Sequence, residues 1–209
     1  MNQQTTETSK EKTSTSLWDS DQRVKLTGLG GILGGTVLSL LSTSRTGLGI
    51  QPGSISVVYP LGYILLAIML LAGNARYKSA YGGGGNNTAL LLVLSLVSYA
   101  ASTVVIVLSI RVFAFPIGPF TSLIGIAFFA TRIFGTVYGV ILWRRTDVSR
   151  VTAGLFTLVL PSMFILGPLT LLGFPAFGIE LPIYLAFIAF GYGLWNDPSS
   201  KSDRGTPTH

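Results

Sequence analysis

Apolar residues run through this chain in long, nearly unbroken blocks, without the alternation that marks half-buried helices or strands. A block of about 18 or more apolar residues can cross the hydrocarbon core of a bilayer as a helix. The blocks predict spans at approximately 26–44, 55–72, 88–110, 120–143, 151–172 and 177–195. We therefore predict an all-α fold, a polytopic transmembrane bundle of six helices.

The polar segments at the two ends set the predicted domain limits. Residues 1–22 are rich in Ser and Thr and lack a hydrophobic pattern, which predicts a disordered tail. Residues 197–209 are similar. The six-helix transmembrane domain is thus predicted over 23–196.

Glycine and proline mark the predicted irregularities. The run Gly82–Asn87 predicts a flexible linker before the third span. Within the fifth span, Pro161 should kink the helix, and Gly167-Pro168 should end its regular part early.

The distribution of positive charge predicts the orientation. Cytoplasmic loops collect Lys and Arg. With six spans and the N-terminus inside, only Arg45 and Arg111 of the 14 Lys and Arg residues fall in outer segments, and Arg132 lies within a span. A five-span reading, without the first or the last span, would place one basic tail outside. The charges favour six spans with both termini cytoplasmic.

The tryptophans agree with this orientation. Trp favours the interface between membrane and water. Trp18, Trp143 and Trp195 all fall at or near the predicted inner interface.

Small residues recur four apart in two spans, a spacing that lets helix backbones approach closely. The first span carries Gly30 with Gly34 and Gly31 with Gly35, and the fourth carries Thr131, Gly135 and Gly139. Helix packing within the bundle is the preferred interpretation, and dimerisation is the alternative.

Arg132 is the most unusual residue in the apolar blocks, because it lies near the centre of the fourth span. A central arginine costs at least ~2.5 kcal/mol in a membrane helix. The expected partners are backbone carbonyls, hydroxyls, water or a bound anion. The sequence leaves open whether Arg132 is an anion or head-group site or a hydrated structural residue.

Glu180 is the acidic residue nearest to the membrane interior, at the outer edge of the sixth span. An acid in the first turn of a helix is favoured by the helix dipole, and this is the preferred explanation. A role as an ion or proton site is the alternative.

The residues that carry most enzyme chemistry are missing. There is no cysteine, and the single histidine is His209. No predicted span contains a lysine or a pair of carboxylates, so membrane nucleophile and acid–base arrangements are not expected. We predict no enzyme activity, no metal site and no cofactor.

Nucleic acid is not an expected partner, because the cations cluster at span ends.

Several short strings give the chain a resemblance. The stretch Val137–Arg145, the ending Phe190–Trp195 and Gly73–Tyr77 resemble small uncharacterised multi-pass membrane proteins of halophilic archaea. The resemblance implies a location in the cell membrane and no known activity. The net charge of this chain is +6, whereas most halophile proteins have acidic surfaces, so the chain departs from them in this respect.

These observations favour a non-catalytic multi-pass membrane protein with a scaffold, accessory or regulatory role. Its expected partners are the lipid bilayer and either another membrane protein or a second copy of the chain. The alternative is a small transporter or channel in which Arg132 holds an anion. A membrane-embedded enzyme is the least favoured of the three.

Overall fold

The computed structural model describes residues 20–47, 58–109, 118–173 and 177–196, and it is helical without any strand in these ranges. Both predicted tails lie outside the described residues, except that residues 20–22 belong to the first helix. The helices are α1 (Ser20–Gly47), α2 (Val58–Leu108), α3 (Gly118–Arg145), α4 (Arg150–Thr157), α5 (Val159–Leu171) and α6 (Phe177–Asn196).

Three helices are long and apolar enough to cross a membrane, which indicates a membrane protein. They are Gln22–Ser44 within α1, the whole of α2, and α3. The pair α4 and α5 adds a fourth crossing if it is counted as one bent span. By length and composition alone, the described helices therefore give fewer than the six predicted spans.

Helix α2 is continuous in hydrogen bonding but folds back on itself. Its 51 residues include one non-helical residue, Gly82, with φ 65° and ψ −163°. The Asn74 side chain donates to Asn86 Oδ1 at 2.9 Å, and the rings of Tyr63 and Tyr99 lie 4.5 Å apart. A straight helix rises about 1.5 Å per residue and would keep both pairs far apart. The limbs 58–81 and 83–108 thus form an antiparallel hairpin with its hinge at Gly82.

The prediction of a flexible linker at 82–87 is wrong for residues 83–87, which are helical. Only one residue has to leave the helix, since glycine adopts positive φ without steric cost. Gly85 has a packing reason as well. A Cβ there would lie 2.7 Å from Tyr81 Cβ and would meet the Tyr81 ring.

Helix α1 lies against α6 and the first limb of α2, and glycines allow the close approach. A Cβ at Gly28 would lie 2.7 Å from the carbonyl oxygen of Gly191, and one at Gly35 would lie 2.7 Å from Ile188 Cγ1. A Cβ at Gly31 would overlap Met69. Close contact of this kind gives helices in a bilayer much of their packing energy.

The fifth predicted span is broken where Pro161 requires it. Helices α4 and α5 meet at Leu158 with a bend of 51°. Proline has no N–H for the carbonyl four residues earlier, and its ring displaces that carbonyl. The Leu160 N–H leaves the helical ladder and donates to Thr136 Oγ1 of α3 at 2.9 Å. The prediction that Gly167-Pro168 ends the regular helix early is wrong, because α5 continues past Pro168 to Leu171.

The bundle has two distinct ends. We call the end that contains Gly82 the hinge end. There Arg145 of α3 donates to the Tyr81 carbonyl at 3.4 Å, and the first turns of α1 meet the last turns of α6 near Trp195. At the opposite end, Ser42 of α1 contacts Glu180 of α6.

Candidate functional site

Arg132 points into the interior of the bundle and is only 3% exposed. Its Nη1 donates to the Phe128 carbonyl at 3.0 Å, one helical turn earlier. Its Cζ lies 3.2 Å from the centroid of the Phe128 ring, as in a cation–π contact. Nε is buried and has no hydrogen-bond partner among the described residues. One expected partner type, a backbone carbonyl, and one that was not expected, an aromatic face, therefore come from the same turn of α3.

Glu180 reaches the same region from α6. Its Oε2 accepts a hydrogen bond from Ser42 of α1 at 2.5 Å and from Tyr184 at 3.3 Å. The hydroxyls of Tyr184 and Tyr63 lie 2.9 Å apart. Because Tyr184 gives its proton to Glu180, Tyr63 is the donor in that second bond. The carboxylate thus ends a short chain of hydroxyls, and the helix dipole alone does not explain it.

The two charged side chains line one small cavity. Tyr63, Tyr99 and Thr131 also line it. It leaves a volume of about 10 Å³ for the centre of a water molecule. That is close to the smallest space in which one water fits, provided that polar partners surround it. Arg132 Nε–H and the Glu180 carboxylate are such partners.

This arrangement explains how a charge at the centre of α3 is tolerated. A lone arginine inside a membrane has to be compensated. A carboxylate on the far side of a water-sized cavity makes the cluster formally neutral. In a medium of low dielectric constant, opposite charges attract over several ångströms. We call Arg132, Glu180, Tyr63, Tyr184 and Ser42 the polar cluster.

Sequence reasoning identified Arg132 but not Ser42, Tyr63 or Tyr184. Tyr63 is 6% and Tyr184 is 2% exposed, so both lie inside the bundle rather than at the interface. One signal was available in the sequence. Glu180 and Tyr184 are four residues apart, which places them on one face of a helix.

The small residues of α3 have separate contacts. The Thr131 hydroxyl lies 2.9 Å from Ser95 Oγ of α2 and 2.7 Å from the Ala127 carbonyl oxygen, and its single proton serves one of these acceptors at a time. A Cβ at Gly139 would meet the backbone of α4 at Thr157. Gly135 has ordinary clearance, with Phe156 3.9 Å from the added Cβ.

The glycines of α1 also differ from one another. Gly34 would bring a Cβ within 3.0 Å of the Gly62 carbonyl oxygen. At Gly30 the nearest atom would be Leu65 Cδ2 at 3.6 Å, an ordinary contact.

No group of three or more His, Cys, Asp or Glu side chains in the described ranges could hold a metal ion. Comparison of the chain with protein-family models, with curated proteins and with solved structures finds no match. The resemblance to membrane proteins of halophilic archaea therefore stays a prediction.

Proposed function

We propose that the protein is a non-catalytic multi-pass protein of the cell membrane with a scaffold, accessory or regulatory role. The observation that supports this role best is the size of the cavity in the polar cluster. It has room for about one water, whereas drug-sized ligands occupy pockets of about 300–1,000 Å³. The buried charges compensate each other, so the cluster needs no substrate to be stable.

The same proposal includes six crossings with both termini in the cytoplasm. The two limbs of α2 count as two spans, and the bent pair of α4 and α5 counts as one. Helix α6 has 20 residues, about the length that a bilayer core requires. With α1 and α3 the total is six, and the hinge end then faces the cytoplasm.

Reporter fusions test this topology. Reporters placed at Gly84, Asp147 and Pro198 should all report the cytoplasmic side, because each site follows an even-numbered span. A periplasmic or extracellular signal from any one of them would overturn the six-span arrangement.

Flux measurements test the functional class. The purified protein, reconstituted alone into liposomes, should leave their permeability to chloride, phosphate and protons unchanged. Flux above that of empty liposomes would contradict a purely accessory role.

An anion transporter or channel is the second candidate, and the unpartnered Nε of Arg132 favours it. If flux is found, Arg132→Leu should abolish it at normal expression. Ser122→Ala, which removes an exposed hydroxyl from the same helix, should leave it intact. Unchanged flux in Arg132→Leu would exclude Arg132 as the anion site.

A further inference from the structure

A larger groove opens at the hinge end, between the first limb of α2, the start of α4 and the last turns of α6. Its volume is about 860 Å³. Val148, Val151 and Phe190 give it apolar walls, and Arg76 and Asp147 also line it. This groove shares no lining residue with the cavity of the polar cluster.

The N-terminus of α4 borders this groove and is uncapped. Ser149 occupies the N-cap position, but its side chain makes no capping hydrogen bond. The first backbone hydrogen bond of the helix runs from the Ala153 N–H to the Ser149 carbonyl oxygen, at 3.0 Å. The N–H groups of residues 150–152 therefore have no acceptor within the helix. Together with the helix dipole, such groups favour an anion.

Thr152 is a second and independent indication of a ligand. Its side chain is 2% exposed, lines the groove, and has no hydrogen-bond partner among the described residues. A hydroxyl that borders the groove and lacks an intramolecular acceptor favours a ligand that supplies one.

The surroundings of the groove match the head-group region of a bilayer. Trp143 and Tyr192, near the same end, are 54% and 60% exposed. Amphipathic aromatic rings of this kind favour the membrane interface. The apolar walls suit the first methylenes of an acyl chain, which inorganic phosphate lacks.

We propose that this groove binds the phosphodiester of a phospholipid from the leaflet at the hinge end. The phosphate oxygens accept from the free N–H groups at the start of α4 and from the Thr152 hydroxyl, and Arg76 adds positive charge. Asp147 lines the same groove, and its carboxylate accepts a hydrogen bond from a head group that carries donors, such as ethanolamine or glycerol. Choline has no such donor, so the groove selects against it. The proposal needs the hinge end at a membrane surface but holds for either orientation of the chain.

The test uses the purified full chain in detergent, with thermal unfolding and native mass spectrometry as readouts. Phosphatidylethanolamine or phosphatidylglycerol should raise Tm and stay bound, because a ligand of the folded state stabilises it. Phosphatidylcholine should raise Tm less. Inorganic phosphate at the same concentration should have little effect. An equal shift with phosphatidylcholine would overturn the head-group selectivity, and a full shift with inorganic phosphate would overturn the lipid assignment.

Variants locate the site. Thr152→Val and Arg76→Gln should each reduce the lipid-dependent rise in Tm by about half or more. Thr157→Val is the matched control, because the Thr157 hydroxyl already donates to the Ala153 carbonyl at 2.9 Å. An undiminished lipid shift in Thr152→Val would contradict the proposal.

If Thr152→Val does not fold, Ser149→Asp tests whether lipid binds at the start of α4. This substitution places a carboxylate next to the free N–H groups. It should raise Tm without lipid, as a good N-cap does, and remove the lipid-dependent rise. A lipid shift that persisted in Ser149→Asp would show that the start of α4 is not the binding site.

Discussion

Arg132 and Glu180 lie on different helices and meet across a space of about one water molecule. The carboxylate accepts hydrogen bonds from Ser42 and Tyr184, while the guanidinium is held by the carbonyl and ring of Phe128. Each charged group therefore has uncharged partners of its own. The two groups have only the cavity between them in common. Removing either one leaves an uncompensated charge in the membrane interior.

We expect Arg132→Met and Glu180→Gln each to lower the free energy of unfolding by about 2–3 kcal/mol. The double variant should lose roughly 1–2 kcal/mol less than the sum, because it leaves no lone charge. Unfolding in mixed detergent and denaturing surfactant measures all three values.

Ser122→Ala is the control for this cycle, since Ser122 is exposed on the same helix and bonds only the Gly118 carbonyl. It should change stability by less than about 0.5 kcal/mol. Strict additivity of the two charge variants would show that the cavity does not couple them.

At this scale the sequence could identify Arg132, because a single arginine is conspicuous in an apolar block. It could not identify Ser42, Tyr63 or Tyr184 as partners of Glu180. Hydroxyl residues are common in membrane helices, and only the packing of α1, α2 and α6 brings these three together.

The helices themselves depend on a few backbone positions where a side chain does not fit. Gly28 faces Gly191, and Gly139 faces the backbone of α4 at Thr157. The sequence predicted the faces of α1 and α3 from their spacing. It could not tell which glycine in each face is the contact point, because that depends on where the neighbouring helix crosses.

Gly28→Ala and Gly30→Ala should change the stability of the protein in opposite directions. A Cβ at Gly28 would lie 2.7 Å from a backbone oxygen, so the helices would have to separate, at a cost of about 1–3 kcal/mol. Gly30 has room for a methyl group and should gain up to about 1 kcal/mol from helix propensity. Thermal unfolding of the two variants should give shifts of opposite sign. Equal shifts would contradict the proposed crossing of α1 and α6.

The hinge of α2 gives a second pair of variants. Gly82→Ala should cost about 1–2 kcal/mol, because alanine is strained at φ 65°. Gly83→Ala is its control, since residue 83 is helical and nothing lies within 4 Å of an added Cβ. Chemical unfolding should separate the two, and tolerance of Gly82→Ala would argue against the hairpin.

The break between α4 and α5 depends on a hydroxyl from another helix. Thr136→Val removes the acceptor of the Leu160 N–H and should cost about 1–3 kcal/mol. Thr103→Val is a matched control, because the Thr103 hydroxyl donates only to its own helix at Tyr99. If both variants unfold alike, the Leu160 N–H has another acceptor.

For the whole molecule, the apolar blocks predicted a helical membrane protein, and the structure agrees at that level. The count of spans could not follow from helix lengths alone. The hydrogen-bonded helix α2 folds back at one residue, and Pro161 divides one block into two helices. Both features are local backbone events, whereas hydropathy averages over many residues.

The absence of cysteine from the sequence makes the topology directly testable by single-cysteine labelling. Ser79→Cys and Ser149→Cys lie at the hinge end and are exposed, whereas Ser122→Cys is exposed near the start of α3. A membrane-impermeant maleimide should label the first two from one side of the vesicle and the third from the other. Labelling of Ser79→Cys and Ser149→Cys from different sides would show that the hinge end does not lie on one side of the membrane.

The placement of Glu180 on the last helix has a consequence for biosynthesis. Ser42, Tyr63 and Arg132 all leave the ribosome before α6, so in the proposed six-span arrangement α6 enters the bilayer toward partners that are already present. Arg132 has no such advantage, and α3 must wait for its counter-charge. We expect chains that stop before α6 to keep α3 at the insertion machinery, and site-specific photocrosslinking of stalled chains would detect that delay.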